Sequence, residues 1–60
     1  MVKFQLKGET YYIKNAGDCY DSDEYWYIIC KKEGENIVEL ESIISLNFQD
    51  AINTFKNLNS

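Results

Sequence analysis

Only one stretch of this sequence carries the apolar rhythm of a surface helix, and that limits every fold open to the chain. Phe48, Ala51, Ile52, Phe55 and Leu58 recur at spacings of three and four, which lines them along one stripe of a helix over residues 48–58. Asn47 stands at the N-cap position, and Asp50 falls in the first turn, where a negative charge meets unpaired N–H groups. Leu46, just ahead of the cap, is placed to staple against Ala51. The rest of the chain reads in period two. Val2, Phe4 and Leu6 alternate with polar residues, and Lys7-Gly8 supplies a tight turn. Residues 2–7 and 9–15 then form a hairpin in which Phe4 faces Tyr11 and Val2 faces Ile13. The following stretch to Asp23, rich in Asn, Gly, Ser and Asp, reads as a loop. Residues 24–32 form a third strand, Glu33-Gly34-Glu35-Asn36 a turn, and residues 37–43 a fourth strand. Closing that turn symmetrically pairs Lys32 with Ile37, Lys31 with Val38 and Ile29 with Leu40, and sets Cys30 beside Glu39 and Ile28 beside Glu41. The fold expected is α+β: a four-stranded antiparallel meander with one C-terminal helix on one face (β-β-β-β-α), in a single small domain over residues 1–60.

One helix covers one face of a sheet, so the two faces must differ. The first holds Val2, Phe4, Leu6, Tyr11, Ile13, Tyr25, Tyr27, Ile29, Val38 and Leu40. The second holds Lys3, Gln5, Thr10, Tyr12, Lys14, Glu24, Trp26, Ile28, Cys30, Lys32, Glu39 and Glu41. Burying the second would strip water from many charges, at several kcal/mol each, so the helix is expected on the first. Trp26, Ile28 and Tyr12 are then left on an uncovered face, and large aromatics there mark an interaction surface. The competing readings are that lysine stems and the acidic loop cover Trp26 within the chain, or that a β-bulge in the third strand turns part of the row inward. The residues assigned to a protein interface are Tyr12, Trp26, Ile28, Cys30, Glu39 and Glu41. Lys3 and Lys14 flank the row of Trp26, Ile28 and Cys30 on one side and Glu39 and Glu41 on the other. The expected homodimer therefore packs sheet to sheet about a two-fold axis near that row, the lysines of one copy against the glutamates of the other.

A chain of 60 residues buries only about 60% of its unfolded surface, and proteins this small often add a disulfide, a metal or a second subunit. Cys19 and Cys30 follow no apolar leader, so the expectation is a cytoplasmic protein with two free thiols. The chain has no histidine, and two cysteines eleven positions apart are half a zinc site. That leaves a homodimer as the expected staple. The acidic patch Asp18, Asp21, Asp23 and Glu24 fails the calcium-loop spacing, because Tyr25 and Trp26 follow where ligands would be needed; solvated loop charge is its simpler reading. With no histidine to serve as a base, and both cysteines beside acids, nucleophilic catalysis has no support. No catalytic, metal or cofactor residues are assigned.

The net charge of −4 and the lack of arginine argue against direct contact with nucleic acid, and no apolar run is long enough to span a membrane. Exposed aromatics among acids fit a protein partner with a basic surface. The run SLNFQDAINTFKNL after YWYIICKKEGENIVEL resembles the end of the HicB-type antitoxin module, without that family's Pro- and Gly-containing segment, and no functional residue is carried over from it. By analogy with phage-encoded inhibitors of host enzymes, the expected function is non-enzymatic: stoichiometric binding to a larger enzyme. The alternatives are an acidic nucleic-acid mimic that blocks a basic groove, and a small structural subunit of a phage or bacterial complex.

Overall fold

A computed structural model describes residues 1–19 and 23–59. Four strands, β1 (Val2–Leu6), β2 (Glu9–Asp18), β3 (Tyr25–Glu33) and β4 (Asn36–Ser45), precede one helix, α1 (Phe48–Leu58). The strands form a single antiparallel sheet in the order β1-β2-β3-β4, with the helix on one face. The first hairpin has the expected register, Phe4 opposite Tyr11 and Val2 opposite Ile13. Its turn places Lys7 and Gly8 at φ 53° and 80°, the left-handed geometry that a two-residue hairpin connection requires.

Two bulges shape the sheet. In β2 the pairing slips between Asn15 and Gly17, so Ala16 has no partner. Gly17 sits there at φ 128° and donates its N–H to Asn15 Oδ1 at 2.8 Å, a geometry costly for any residue with a Cβ. Pairing resumes to Asp18, so the second strand runs further than residues 9–15. In β4 the slip falls at Leu40: Cys30 pairs with Glu39, but Ile29 pairs with Glu41 and Ile28 with Ser42. The expected partners of Ile29 and Ile28, Leu40 and Glu41, are therefore displaced by one residue. The extra residue also reverses which face the rest of β4 presents, and so puts Ile43 under the helix.

Side chains of Ile13, Tyr27, Ile29, Ile43, Ala51, Ile52 and Phe55 form the core, with Phe4, Leu6, Tyr11 and Phe48 packed around it. The helix starts as expected: Asn47 Oδ1 accepts the Asp50 N–H at 2.8 Å, and Ser45 Oγ donates to Asp50 Oδ2 at 2.7 Å. Leu46 is exposed and does not serve as the expected staple. The helix crosses the sheet diagonally. Phe48 packs at a tilt against Tyr27, 5.0 Å between centroids, while Phe55 meets Phe4 and Tyr11 over the first hairpin at 5.9 and 5.3 Å. Lys7 Nζ donates to the Asn59 carbonyl at 2.8 Å and ties the hairpin turn to the helix end.

An eleven-residue helix is roughly 16 Å long, whereas the ten residues of β4 span about 33 Å. The diagonal therefore leaves two corners of this face open. Val2 at one corner, and Val38 and Leu40 at the other, are exposed, as is Tyr25 beyond the start of the helix. All four were expected to meet the helix.

Candidate functional site

The sheet face opposite the helix holds the candidate site. Alternation along β3 sends Trp26, Ile28, Cys30 and Lys32 to this face, and their partners follow: Tyr12 beside Cys30, Lys14 beside Ile28, Ile44 beside Trp26. Trp26 is 42% exposed and Ile44, directly across from it, 45%. Ile28 and Tyr12 are half-buried. Next to Trp26 on β2 stands Gly17, which has no side chain to shield the indole. The bulge glycine thus helps to keep the tryptophan open.

Lys14 and Glu39 lie on either side of β3, and Lys14 Nζ reaches Glu39 Oε1 at 3.6 Å. In register the pair spans β3 between Ile28 and Cys30. The Lys14 stem thus crosses this face at the level of Ile28 and Cys30, while Trp26 stays exposed. Cys30, assigned to the interface by its parity, is accordingly 0% exposed and offers no surface to a partner. The same ion pair takes Lys14 out of the lysine-to-glutamate pairing expected between two copies. Glu41 also leaves the site: the Leu40 bulge sets it opposite Ile29 on the helix side, where it is exposed at an open corner. Of the six assigned residues, the structure keeps Tyr12, Trp26, Ile28 and Glu39 as an accessible group on one face. It adds Ile44, missed because the fourth strand was ended at residue 43. At the far end of the face, Met1, Tyr12, Lys32, Glu35 and Ile37 line an open cleft of about 400 Å³.

The acidic patch is partly described. Asp18 ends β2 opposite Tyr25, Asp23 is exposed, and Glu24 is half-buried with its carbonyl accepting the Cys19 N–H at 3.1 Å. Asp21 lies outside the described residues, as does Tyr20. Among the described residues no group of three His, Cys, Asp or Glu side chains is placed to hold a metal ion. Both cysteines are free thiols. No helix among the described residues is long and apolar enough to cross a membrane.

No family model, curated protein or solved structure matches this chain. The HicB-type resemblance gains nothing from those comparisons, and function has to be argued from the surface.

A second polar cluster lies on the helix side, at the end of the first hairpin. Lys31 Nζ and the Tyr11 hydroxyl both reach Glu9 Oε2, at 3.0 and 3.1 Å. The Lys31 hydrogen bond, followed by that from Tyr11, holds the Glu9 carboxyl below its ordinary range. Hydrogen bonding to Glu9 in turn raises both Lys31 and Tyr11. Lys31 also lies 5.8 Å from the Tyr11 ring centroid. Every member has its partner within the chain, which makes this a surface fastening of the sheet end.

Proposed function

We propose that the protein is a non-enzymatic binding module that docks stoichiometrically, as a homodimer, on a larger protein with a basic surface, in the manner of a small enzyme inhibitor. One observation carries the reading: Trp26 and Ile44 lie side by side and exposed on the face without a helix. A tryptophan left in water beside an aliphatic residue is an expensive surface to keep, and such residues anchor interfaces. The exposed carboxylates of Asp18 and Asp23, near the same end of the sheet, would favour a basic partner and speed encounter.

Affinity capture from extracts of the source organism tests the proposal, using the parent, Trp26→Ala, and a variant with Asp18 and Asp23 neutralised. The expected result is one enriched protein at fixed stoichiometry, retained at high salt and lost with Trp26→Ala, a hot-spot loss of at least about 2 kcal/mol. Binding that collapses with salt and is displaced by DNA would transfer the protein to the nucleic-acid mimics. Failure to enrich anything would end the inhibitor reading and favour a structural subunit.

A further inference from the structure

We propose that β4 pairs edge to edge, antiparallel, with β4 of a second copy about a two-fold axis at the Ser42–Ile44 segment, making one continuous eight-stranded sheet. The two edges of the sheet are unlike. β1 has five residues and carries Lys3, with Lys7 at its end, so it is short and charged in the way edges are normally protected. β4 has ten residues, no proline and no cation, and Ile37, Val38, Leu40 and Ile44 along it are all exposed. Such an edge presents unpaired N–H and C=O groups beside apolar side chains, and it is a template for another strand.

Chain geometry and charge select the register. The two-residue turn at Gly34-Glu35 closes on Glu33 and Asn36, so bonded pairs alternate from there. Beyond the Leu40 bulge the residues bonded to β3 are Glu41, Ile43 and Ser45, which leaves Ser42 and Ile44 with backbone groups directed outward. Two-fold registers centred on residues 39 to 41 set Glu39 or Glu41 against its own copy, or the two against each other, a like-charge opposition that disfavours pairing. Registers centred on residues 42 to 44 set serine and isoleucine together and keep the glutamates apart. Those centred on residues 43 and 44 also bring the Ile44 side chains of the two copies close, next to Trp26 of each, so the exposed apolar surface becomes one row across the joint.

A second copy is thus favoured over a basic heterologous strand by the part of the edge nearest the apolar row, which bears no charge from Ser42 to Ser45. Standard interfaces take about 800 Å² from each partner, nearly a fifth of the 4263 Å² surface of this molecule. An edge strip falls at the low end of that range, so association is expected in the micromolar region.

The pairing rests on the homodimer of the proposed function and names the edge that forms it, whereas docking on a larger protein is read by affinity capture and can fail without it. Sedimentation velocity between about 5 and 500 μM brackets that region and should show a concentration-dependent dimer for the parent and for Trp26→Ala. Ser42→Pro, which removes an outward N–H and spares the bonds to β3, should give a monomer. Should that variant not fold, amide exchange on the parent decides the matter: Ser42 and Ile44 should exchange slowly at high concentration and at least ten times faster on dilution. A parent monomeric throughout overturns the pairing. So does a dimer that survives in folded Ser42→Pro, or one that Trp26→Ala abolishes while the two amides stay unprotected. That last result would point to face-to-face packing.

Discussion

Truncating Phe55 to alanine removes the side chain on which the helix end and the first hairpin meet. The ring is 3% exposed and lies edge-on to both Phe4 and Tyr11, with centroids 5.9 and 5.3 Å away. Phe→Ala replacement in a core costs about 3–5 kcal/mol in lost transfer energy and residual cavity. In a chain of only 60 residues a single core rarely supplies more than about 3–5 kcal/mol. The loss therefore consumes most or all of the stability, and Phe55→Ala should be largely unfolded at room temperature. Phe55→Leu keeps most of the volume and should fold, with a lowered urea midpoint. Leu58→Ala, one turn further on at a position 65% exposed, should stay within about 0.5 kcal/mol of the parent. Urea titration followed by far-ultraviolet circular dichroism reads all three. The reasoning fails if Phe55→Ala unfolds within 1 kcal/mol of the parent (about a fivefold change in equilibrium constant), or if Leu58→Ala costs as much as Phe55→Ala.

Asn47→Ala removes the acceptor for the Asp50 N–H and should cost about 1 kcal/mol, or about 4–8 °C in melting temperature for a domain of this size; an unchanged melt would show that the cap is idle. The Glu9 cluster predicts a pH profile with both signs fixed. The Glu9 carboxyl is lowered by Lys31 first and Tyr11 second, so its contribution is full above the unfolded value near about 4.3 and is lost as pH falls through the lower folded value. Lys31 and Tyr11 are raised by Glu9, so theirs is full below about pH 10 and is lost as pH rises through the folded values. Glu9→Gln should reduce the melting temperature modestly between pH 5 and 9, as for an exposed pair, and converge on the parent at both extremes. A difference that persists undiminished at low pH would contradict the assignment.

The first hairpin was legible because its turn leaves no freedom: Lys7-Gly8 admits a two-residue connection, which sets Phe4 opposite Tyr11 and Val2 opposite Ile13. The fourth strand was legible only as far as Glu39. Val38 and Leu40 share one parity and Ile43 has the other, so a helix-covered Ile43 demands one extra residue between them. That break in period two was the available sign of the bulge, and ending the strand at residue 43 concealed it along with Ile44. Cys30 failed for a different reason. Its face was read correctly, but its exposure depends on the reach of neighbours from two other strands. Lys14 and Glu39 meet across β3 above a short thiol, and alternation along one strand carries no information about such lengths.

The uncovered surface follows from a mismatch of lengths. A helix of eleven residues can reach from Tyr27 to the Lys7 turn only along a diagonal, and a diagonal must abandon opposite corners of the sheet. One abandoned corner is at Val2, on a short strand flanked by lysines. The other is at Val38 and Leu40, on the same strand that carries Ile37 and Ile44 to the opposite face. The exposed aliphatic side chains of β4 therefore lie on both sides of a single free edge. A partner lying flat on the Trp26 face would cover Ile44 and leave Leu40, 43% exposed, in water. A strand added at the edge brings new neighbours to both faces together. That difference makes the β4 edge, and not the sheet face alone, the place where pairing should first be sought.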